Sequence, residues 1–137
     1  MNKREIIEKL KKYNFDFSKY IVISGAAMVI RDVKEETSDI DIAVSDDYYL
    51  FLLKNYMCIF DRINQYNNKV YYIDDVINFA QSYYNCNYTI VEGIRVQELE
   101  DIKKLKENLN RKKDINNIKL LNKKMIDMKK WKELINV

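Results

Sequence analysis

Apolar and polar positions alternate along the chain with two periods, and each period predicts one type of secondary structure. Apolar residues three or four apart, with charges between them, predict helices, whereas strict alternation or short β-branched runs predict strands. The segment between residues 76 and 86 fits neither pattern. We expect helices at residues 3–13, 26–33, 46–56, 98–109 and from 115 onward, and strands at residues 20–23, 38–45, 58–63, 70–73, 88–91 and 94–96.

The order of these elements predicts a fold of the α/β class. Strands and helices interchange through the first two thirds of the chain, and helices alone fill the last third. We expect a mixed, twisted sheet of four to five strands with helices on one face, followed by a C-terminal helical pair. A chain of 137 residues is the size of one domain. We therefore predict a single domain, with its core at about residues 1–97 and a C-terminal helical segment at about 98–137.

The residue types present exclude several kinds of catalytic site. Histidine is absent, which excludes Ser-His-Asp and Cys-His nucleophilic sites and zinc sites with His ligands. The two cysteines, Cys58 and Cys86, are too few for a four-thiolate zinc site, and we expect both to be reduced. Any chemistry must therefore use carboxylates, Lys or Arg, Ser or Thr, Tyr, or a metal that takes oxygen ligands.

The net charge of +3 conceals two regions of opposite charge. Residues 103–132 contain 12 Lys or Arg and 3 Asp or Glu, a balance of +9, so the rest of the chain carries −6. Such a basic segment binds polyanions, for example nucleic acids or nucleotide phosphates, and it is equally typical of a solvated helix face. No apolar run reaches the roughly 18 residues that span a bilayer, and the charged start shows no secretory signal. We expect a cytoplasmic protein without a membrane partner.

Two short motifs carry the most specific chemistry. Ser24-Gly25-Ala26 follows the strand at 20–23 and opens the next helix. Glycine at such a turn lets a ligand approach the backbone, and the helix directs free N–H groups at it, as phosphate sites require. After twelve further residues, Asp39 and Asp41 alternate with apolar residues on a predicted strand. Residues two apart share a strand face, so these carboxylates lie about 7 Å apart, a spacing that allows them to converge on Mg²⁺.

Each motif taken alone has an ordinary structural interpretation. An Asp-x-Asp pair is often the solvent face of an amphipathic strand, and a glycine turn between a strand and a helix is a weak signal. Their occurrence together, in this order and in a chain without histidine, favours a functional interpretation.

Together the motifs resemble the signature of the nucleotidyltransferase superfamily with the polymerase-β-like core. That signature is a hydrophobic residue, Gly, then Gly or Ser, a spacer, and finally Asp, a hydrophobic residue, and Asp or Glu. Here it reads Ser24-Gly25-Ala26, twelve residues, then Asp39-Ile40-Asp41. Ala26 stands where the second Gly or Ser is usual, which removes a hydroxyl from the phosphate contact, and Ser24 is placed to supply another.

The end of the chain extends the resemblance to small bacterial nucleotidyltransferase-like proteins, including the abortive-infection type IV toxin family. Residues 96–106 and 110–115 are similar to the tail of that branch. The resemblance implies that Lys106 and Arg111 reach the phosphates of a bound NTP. The alternatives are a solvated Lys106 and an Arg111 that pairs with Asp114.

Enzymes of this type have a third carboxylate on a neighbouring strand. Asp74, at the end of the strand at 70–73, is our choice, Asp75 is its rival and Asp61 is the third candidate. The structural alternative is that Asp74 caps a following helix. The resemblance implies three carboxylate ligands for Mg²⁺ or Mn²⁺, namely Asp39, Asp41 and Asp74, and a triphosphate site at Ser24, Gly25 and Ala26.

The activity that the resemblance implies is metal-dependent transfer of a nucleoside monophosphate from an NTP to an acceptor hydroxyl. The acceptor is an RNA, a protein or a small molecule, and the setting is a toxin–antitoxin or phage-defence system with a cognate partner protein. In this scheme Asp74 binds one metal ion or acts as the general base. Two rival interpretations are a catalytically inactive partner or antitoxin, and an RNA-binding module that uses the basic C-terminal segment.

Overall fold

A computed structural model describes residues 1–135, which form two compact units. The first unit spans Met1–Glu98 and contains the sheet, and the second begins at Leu99 and is helical. The helices are α1 (Lys3–Lys12), α2 (Ser24–Ile30), α3 (Asp46–Asn55), α4 (Leu99–Leu109) and α5 (Ile115–Ile135), and the strands are β1 (Tyr20–Ile23), β2 (Ile40–Val44), β3 (Ile59–Ile63), β4 (Lys69–Tyr72), β5 (Ile77–Ala80), β6 (Tyr88–Val91) and β7 (Ile94–Gln97).

The strands of the described chain form one mixed sheet in the order β3-β4-β5-β2-β1-β7-β6. β2 pairs antiparallel with β1 and parallel with β5, and β1 pairs parallel with β7. The α/β class is therefore confirmed, but the prediction of four to five strands was wrong, because the sheet has seven. The sequence pattern does not reveal β5, since all four of its residues are buried and a strand buried on both faces shows no alternation.

One face of the sheet forms the core of the first unit. Ile40, Ile42 and Val44 alternate onto this face and are fully buried. Phe79 of β5 lies opposite Ile42, and its ring meets that of Tyr49 on α3 edge to face, with 5.5 Å between centroids. The alternation of β2 therefore directs its apolar residues to the core and leaves Asp41 on the other face, and Asp39 lies immediately before the strand.

Local hydrogen bonds fix where the helices of the first unit begin. Asn2 and Glu5 form a capping box at the start of α1. The N-cap of α3 is Ser45, whose Oγ accepts a hydrogen bond from the N–H of Tyr48. In the described part of the chain, no helix combines the length and the apolar composition needed to cross a membrane.

The second unit is the pair of C-terminal helices that the sequence predicts. α4 and α5 pack against each other within this unit. Leu121 of α5 is fully buried, whereas Trp131, Leu134 and Ile135 near the end of that helix are each more than 60% exposed. The predicted apolar stripe of α5 therefore continues beyond the part that is buried.

Candidate functional site

Strand register brings the two sequence motifs together. β1 and β2 run antiparallel with Ile23 directly opposite Asp41. The chain therefore leaves β1 at Ser24 beside the start of β2, where Asp39 precedes the first paired residue. Asp39 and Asp41 are both partly exposed. The glycine turn and the carboxylate pair thus lie at the same end of two neighbouring strands.

The backbone at Ser24, the first residue of α2, has an unusual conformation. Ser24 has a φ of 58°, a left-handed conformation that costs a residue with a side chain roughly 1–2 kcal/mol. Its backbone N–H donates to Oε1 of the buried Gln97 at 3.0 Å. Because a protein acceptor occupies this N–H, the group that Ser24 offers to a phosphate is its hydroxyl.

Gly25 is required by the close approach of Thr37. A Cβ on Gly25 would lie 3.0 Å from Oγ1 of Thr37 and 3.9 Å from Nζ of Lys34. A hydroxyl and an ammonium group from the loop between α2 and β2 therefore stand over the turn. Neither residue is predicted from the sequence, since a polar loop has no period that shows where it folds. Ala26 is buried and contributes to packing.

We expect Gly25→Ala to lower the free energy of unfolding by about 1–3 kcal/mol, because the new Cβ crowds the Thr37 hydroxyl. Thr37→Ala removes that oxygen, so the double variant should recover most of the loss in urea unfolding. Gly93→Ala is the control, because Gly93 has a φ of 83° and no atom within 4 Å of its Cβ position, so its cost lies in the backbone. Equal losses in Gly25→Ala and in the double variant would contradict the steric explanation.

A row of side chains crosses the sheet at the level of Asp41. Asn78 of β5 lies opposite Asp41, and Tyr72 of β4 lies opposite Asn78. Directly opposed residues point to the same face, so both lie on the face that carries Asp41. Asn78 is 4% exposed. The neighbouring-strand residue opposite Asp41 is therefore an amide and not a carboxylate.

Three carboxylates act on the hydroxyl of Tyr72. Burial, followed by the charges of Asp39, Asp61 and Asp41, raises the pKa of Tyr72. Asp61 lies where the β3–β4 register shifts, and it forms an ion pair with the adjacent Arg62. Among the three sequence candidates for a third carboxylate, Asp61 is therefore the one that contributes, together with Asp39 and Asp41, to the raised pKa of Tyr72.

The candidate ligands for a metal ion are the carboxylates of Asp39 and Asp41. Across residues 1–135, no three acidic or sulfur-bearing side chains come close enough to hold a metal together. Magnesium sites in proteins commonly use one or two carboxylates, with waters and substrate phosphates in the other positions. Asp39 and Asp41 fit this type of site, because they provide oxygen ligands on one strand face.

Asp74 holds the turn between β4 and β5. Its Oδ1 accepts hydrogen bonds from the N–H groups of Val76 and Ile77 at 2.9 and 2.8 Å. Its Oδ2 accepts from the hydroxyl of Tyr13 and lies 3.2 Å from Nζ of Lys9. Both oxygens thus have protein donors, so this geometry does not support the predicted roles of Asp74 as a metal ligand or general base. The residue instead attaches the turn to α1.

The hydrogen bonds of Asp74 make stability depend on pH. Burial favours the neutral acid, but the bonds from Tyr13, Ile77, Val76 and Lys9 lower the pKa of Asp74 to about 2. Because this pKa lies below that of the unfolded chain, the stabilisation is complete above about pH 4 and is lost as the pH falls toward 2.

We therefore expect Asp74→Asn to lower the free energy of unfolding by about 1–3 kcal/mol at pH 7, because the charge-assisted bonds are lost. The difference from the native protein should shrink as the pH falls below about 4. Urea unfolding at a series of pH values measures it, with the exposed neighbour Asp75→Asn as the control. If the loss in the free energy of unfolding did not change with pH, the charge of Asp74 would not be what stabilises the turn.

Lys106 and Arg111 both bind Asp114 in the second unit. Nζ of Lys106 lies 3.1 Å from Oδ1 of Asp114, and Nε of Arg111 lies 2.6 Å from Oδ2. The Lys106 and Asp114 side chains are only 6% and 3% exposed. Burial opposes ionisation, but the bonds from Arg111 and Lys106 lower the pKa of Asp114. Arg111 thus pairs with Asp114, as the alternative interpretation of the sequence holds. Lys106 is buried in an ion pair rather than solvated.

The first unit therefore combines three chemical features at one end of β1 and β2. A pair of carboxylates suits a divalent cation, a strained turn lacks a side chain at Gly25, and Lys34 and Thr37 place an ammonium group and a hydroxyl over that turn. Comparisons of the chain with protein-family models, with curated proteins and with solved structures found no match. The chemistry of the site therefore has to be inferred from its residues.

Proposed function

We propose that the protein is a metal-dependent nucleotidyltransferase that transfers a nucleoside monophosphate from an NTP to an acceptor hydroxyl. The observation that supports this most directly is the pairing of Ile23 with Asp41, which sets the Ser24-Gly25 turn beside the carboxylates. Nucleotidyl transfer needs this adjacency, because the metal contacts the same phosphates that the turn holds.

Asp39 and Asp41 are the residues that would hold Mg²⁺ or Mn²⁺. Their carboxylate oxygens are the ligand type that both ions take, and two such groups leave coordination positions for water and phosphate oxygens. The bound metal would neutralise the charge that develops on the phosphoryl group during transfer.

Residues of the first unit would bind and orient the triphosphate. The ammonium group of Lys34 and the hydroxyls of Thr37 and Ser24 surround the Gly25 turn and provide a positive charge and hydrogen-bond donors. They take the role that the sequence resemblance implies for Lys106 and Arg111, whose charges are paired with Asp114.

In this scheme the acceptor oxygen attacks the α-phosphorus in line, the bond to the β-phosphate oxygen breaks, and pyrophosphate leaves. Asp61 would accept the proton of the acceptor hydroxyl. The support for this role is that its charge, like those of Asp39 and Asp41, raises the pKa of Tyr72. Asp61 thus replaces Asp74 as the third carboxylate of the proposed site.

Transfer of label from NTPs tests the proposal. Each of the four NTPs, labelled at the α-phosphate, is incubated with the full chain, Mg²⁺ or Mn²⁺, and a cell extract that supplies RNA, proteins and small molecules. We expect label in one acceptor class, dependent on the divalent metal and absent with the double variant Asp39→Asn/Asp41→Asn. The proposal fails if no nucleotide yields labelled acceptor, or if the double variant labels as the native protein does.

A further inference from the structure

An open pocket lies in the first unit, away from the carboxylate pair. Its volume is about 590 Å³, within the range of small-molecule sites. Lys19 and Asp47, which line it, lie just before β1 and just after β2. Asp39 and the Ser24 turn lie at the opposite ends of the same two strands. The pocket therefore shares no residue with the proposed transferase site.

The wall of this pocket is aromatic. The rings of Tyr48 and Phe51 on α3 are stacked, with centroids 5.3 Å apart and planes within 11°. Tyr13 and Tyr56 meet edge to face at 6.2 Å. Phe51 is 48% exposed, so a ligand that covers it would remove apolar surface from water.

The tyrosine hydroxyls of the pocket are used within the protein. The hydroxyl of Tyr48 accepts a hydrogen bond from the N–H of Asp16 at 2.9 Å, and that of Tyr56 donates to the carbonyl oxygen of Tyr13 at 3.3 Å. The hydroxyl of Tyr13 donates to Asp74. These bonds hold the rings in place.

Two carboxylates make the pocket negative. Asp16 and Asp47 line it. Among the described residues of the lining, Lys19 is the one cation, and its Nζ lies 3.1 Å from Oδ2 of Asp47. The formal charge of the lining is therefore −1. Hydrogen bonds from Ser18 lower the pKa of Asp16, and bonds from Ser45 and Lys19 lower that of Asp47 to about 2. Both carboxylates are ionised at neutral pH.

We propose that this pocket binds an organic cation through an alkylammonium or guanidinium group. Aromatic ring faces attract such cations through their quadrupole, and a carboxylate beside the rings adds a full opposite charge. The net negative charge of the lining disfavours anions. The same group is carried by a free polyamine and by a Lys or Arg side chain of a polypeptide.

Titration of the isotope-labelled full chain, followed by amide chemical shifts, tests the proposal. The probes are tetramethylammonium, spermidine and a short lysine-containing peptide, and sodium chloride and sodium acetate at equal ionic strength are the controls. We expect saturable shifts at Asp16, Lys19 and Phe51 with the organic cations only. Tighter binding of spermidine identifies a free polyamine as the ligand, and tighter binding of the peptide identifies a polypeptide side chain.

Matched variants separate this pocket from a general acidic surface. Phe51→Ala and Asp16→Asn should each weaken binding about fivefold or more. Leu50→Ala and Asp46→Asn are exposed controls outside the lining and should bind as the native protein does. Asp39→Asn should also bind normally, so the test is independent of nucleotidyl transfer. Shifts that do not saturate, or equal affinity in Phe51→Ala, would overturn the proposal.

Discussion

Replacing Asp41 with asparagine is expected to lower the rate of nucleotidyl transfer about a thousandfold or more. The change removes one of the two carboxylates proposed to hold the metal near the start of β2, and charge stabilisation by a catalytic metal contributes several kcal/mol to the transition state. Each 1.4 kcal/mol corresponds to a factor of ten in rate. Asp39→Asn should have a similar effect, and the double variant should be little worse than either single one, because the two ligands act as a unit.

Initial rates of label transfer at saturating Mg²⁺ measure these effects. Asp75→Asn, an exposed acid in the nearby loop, is the control and should keep the native rate. Asp61→Asn should lower the rate about 10²–10⁴-fold if it removes the general base. A native rate in Asp41→Asn would exclude the carboxylate pair from the mechanism.

Replacing Asp114 with alanine is expected to lower the free energy of unfolding of the second unit by about 3–5 kcal/mol. The change leaves the ammonium group of Lys106, only 6% exposed, without its partner. Arg111 is 40% exposed and can turn to solvent, so the cost falls mainly on Lys106. Urea unfolding followed by circular dichroism measures the loss, because the second unit is helical.

A second substitution shows whether the uncompensated charge is the cause. Lys106→Met in the Asp114→Ala background removes the buried cation and should recover part of the lost stability. Asp127→Ala, an exposed acid of α5, is the control and should change the free energy of unfolding by less than about 0.5 kcal/mol. If the double variant is as unstable as Asp114→Ala alone, the loss comes from packing and not from charge.

Features of the fold that depend on local spacing were predictable from the sequence. The helical periods of α1 and α4, and the short runs of β1 and β6, appear in the structure within a few residues of their expected positions. β5 has no such signal, because a central strand buried on both faces shows no alternation. The conformation of Ser24 was also beyond prediction, since it follows from tertiary contacts such as the bond to Gln97.

In the candidate site, too, features set by local spacing were predictable and features set by tertiary contacts were not. Asp41 points away from the core because its neighbours Ile40 and Ile42 point into it, which the alternation in the sequence indicates. The position of Asp74 depends on Tyr13, which is 61 residues away along the chain, and no short motif reveals that bond. Thr37 likewise reaches Gly25 only because the loop between α2 and β2 folds back over the turn.

The pairing of β1 with β2 also determines which parts of the site can vary. A shift of one residue in this register would turn Asp41 into the core and bring Ile40 and Ile42 to the surface. The carboxylates therefore cannot move without loss of the fold. The loop between Ile30 and Ile40, which carries Lys34 and Thr37, has no such constraint. In the proposed transferase, changes in the length or composition of this loop would alter which phosphate-bearing ligand is accepted, while the carboxylate pair stays in place.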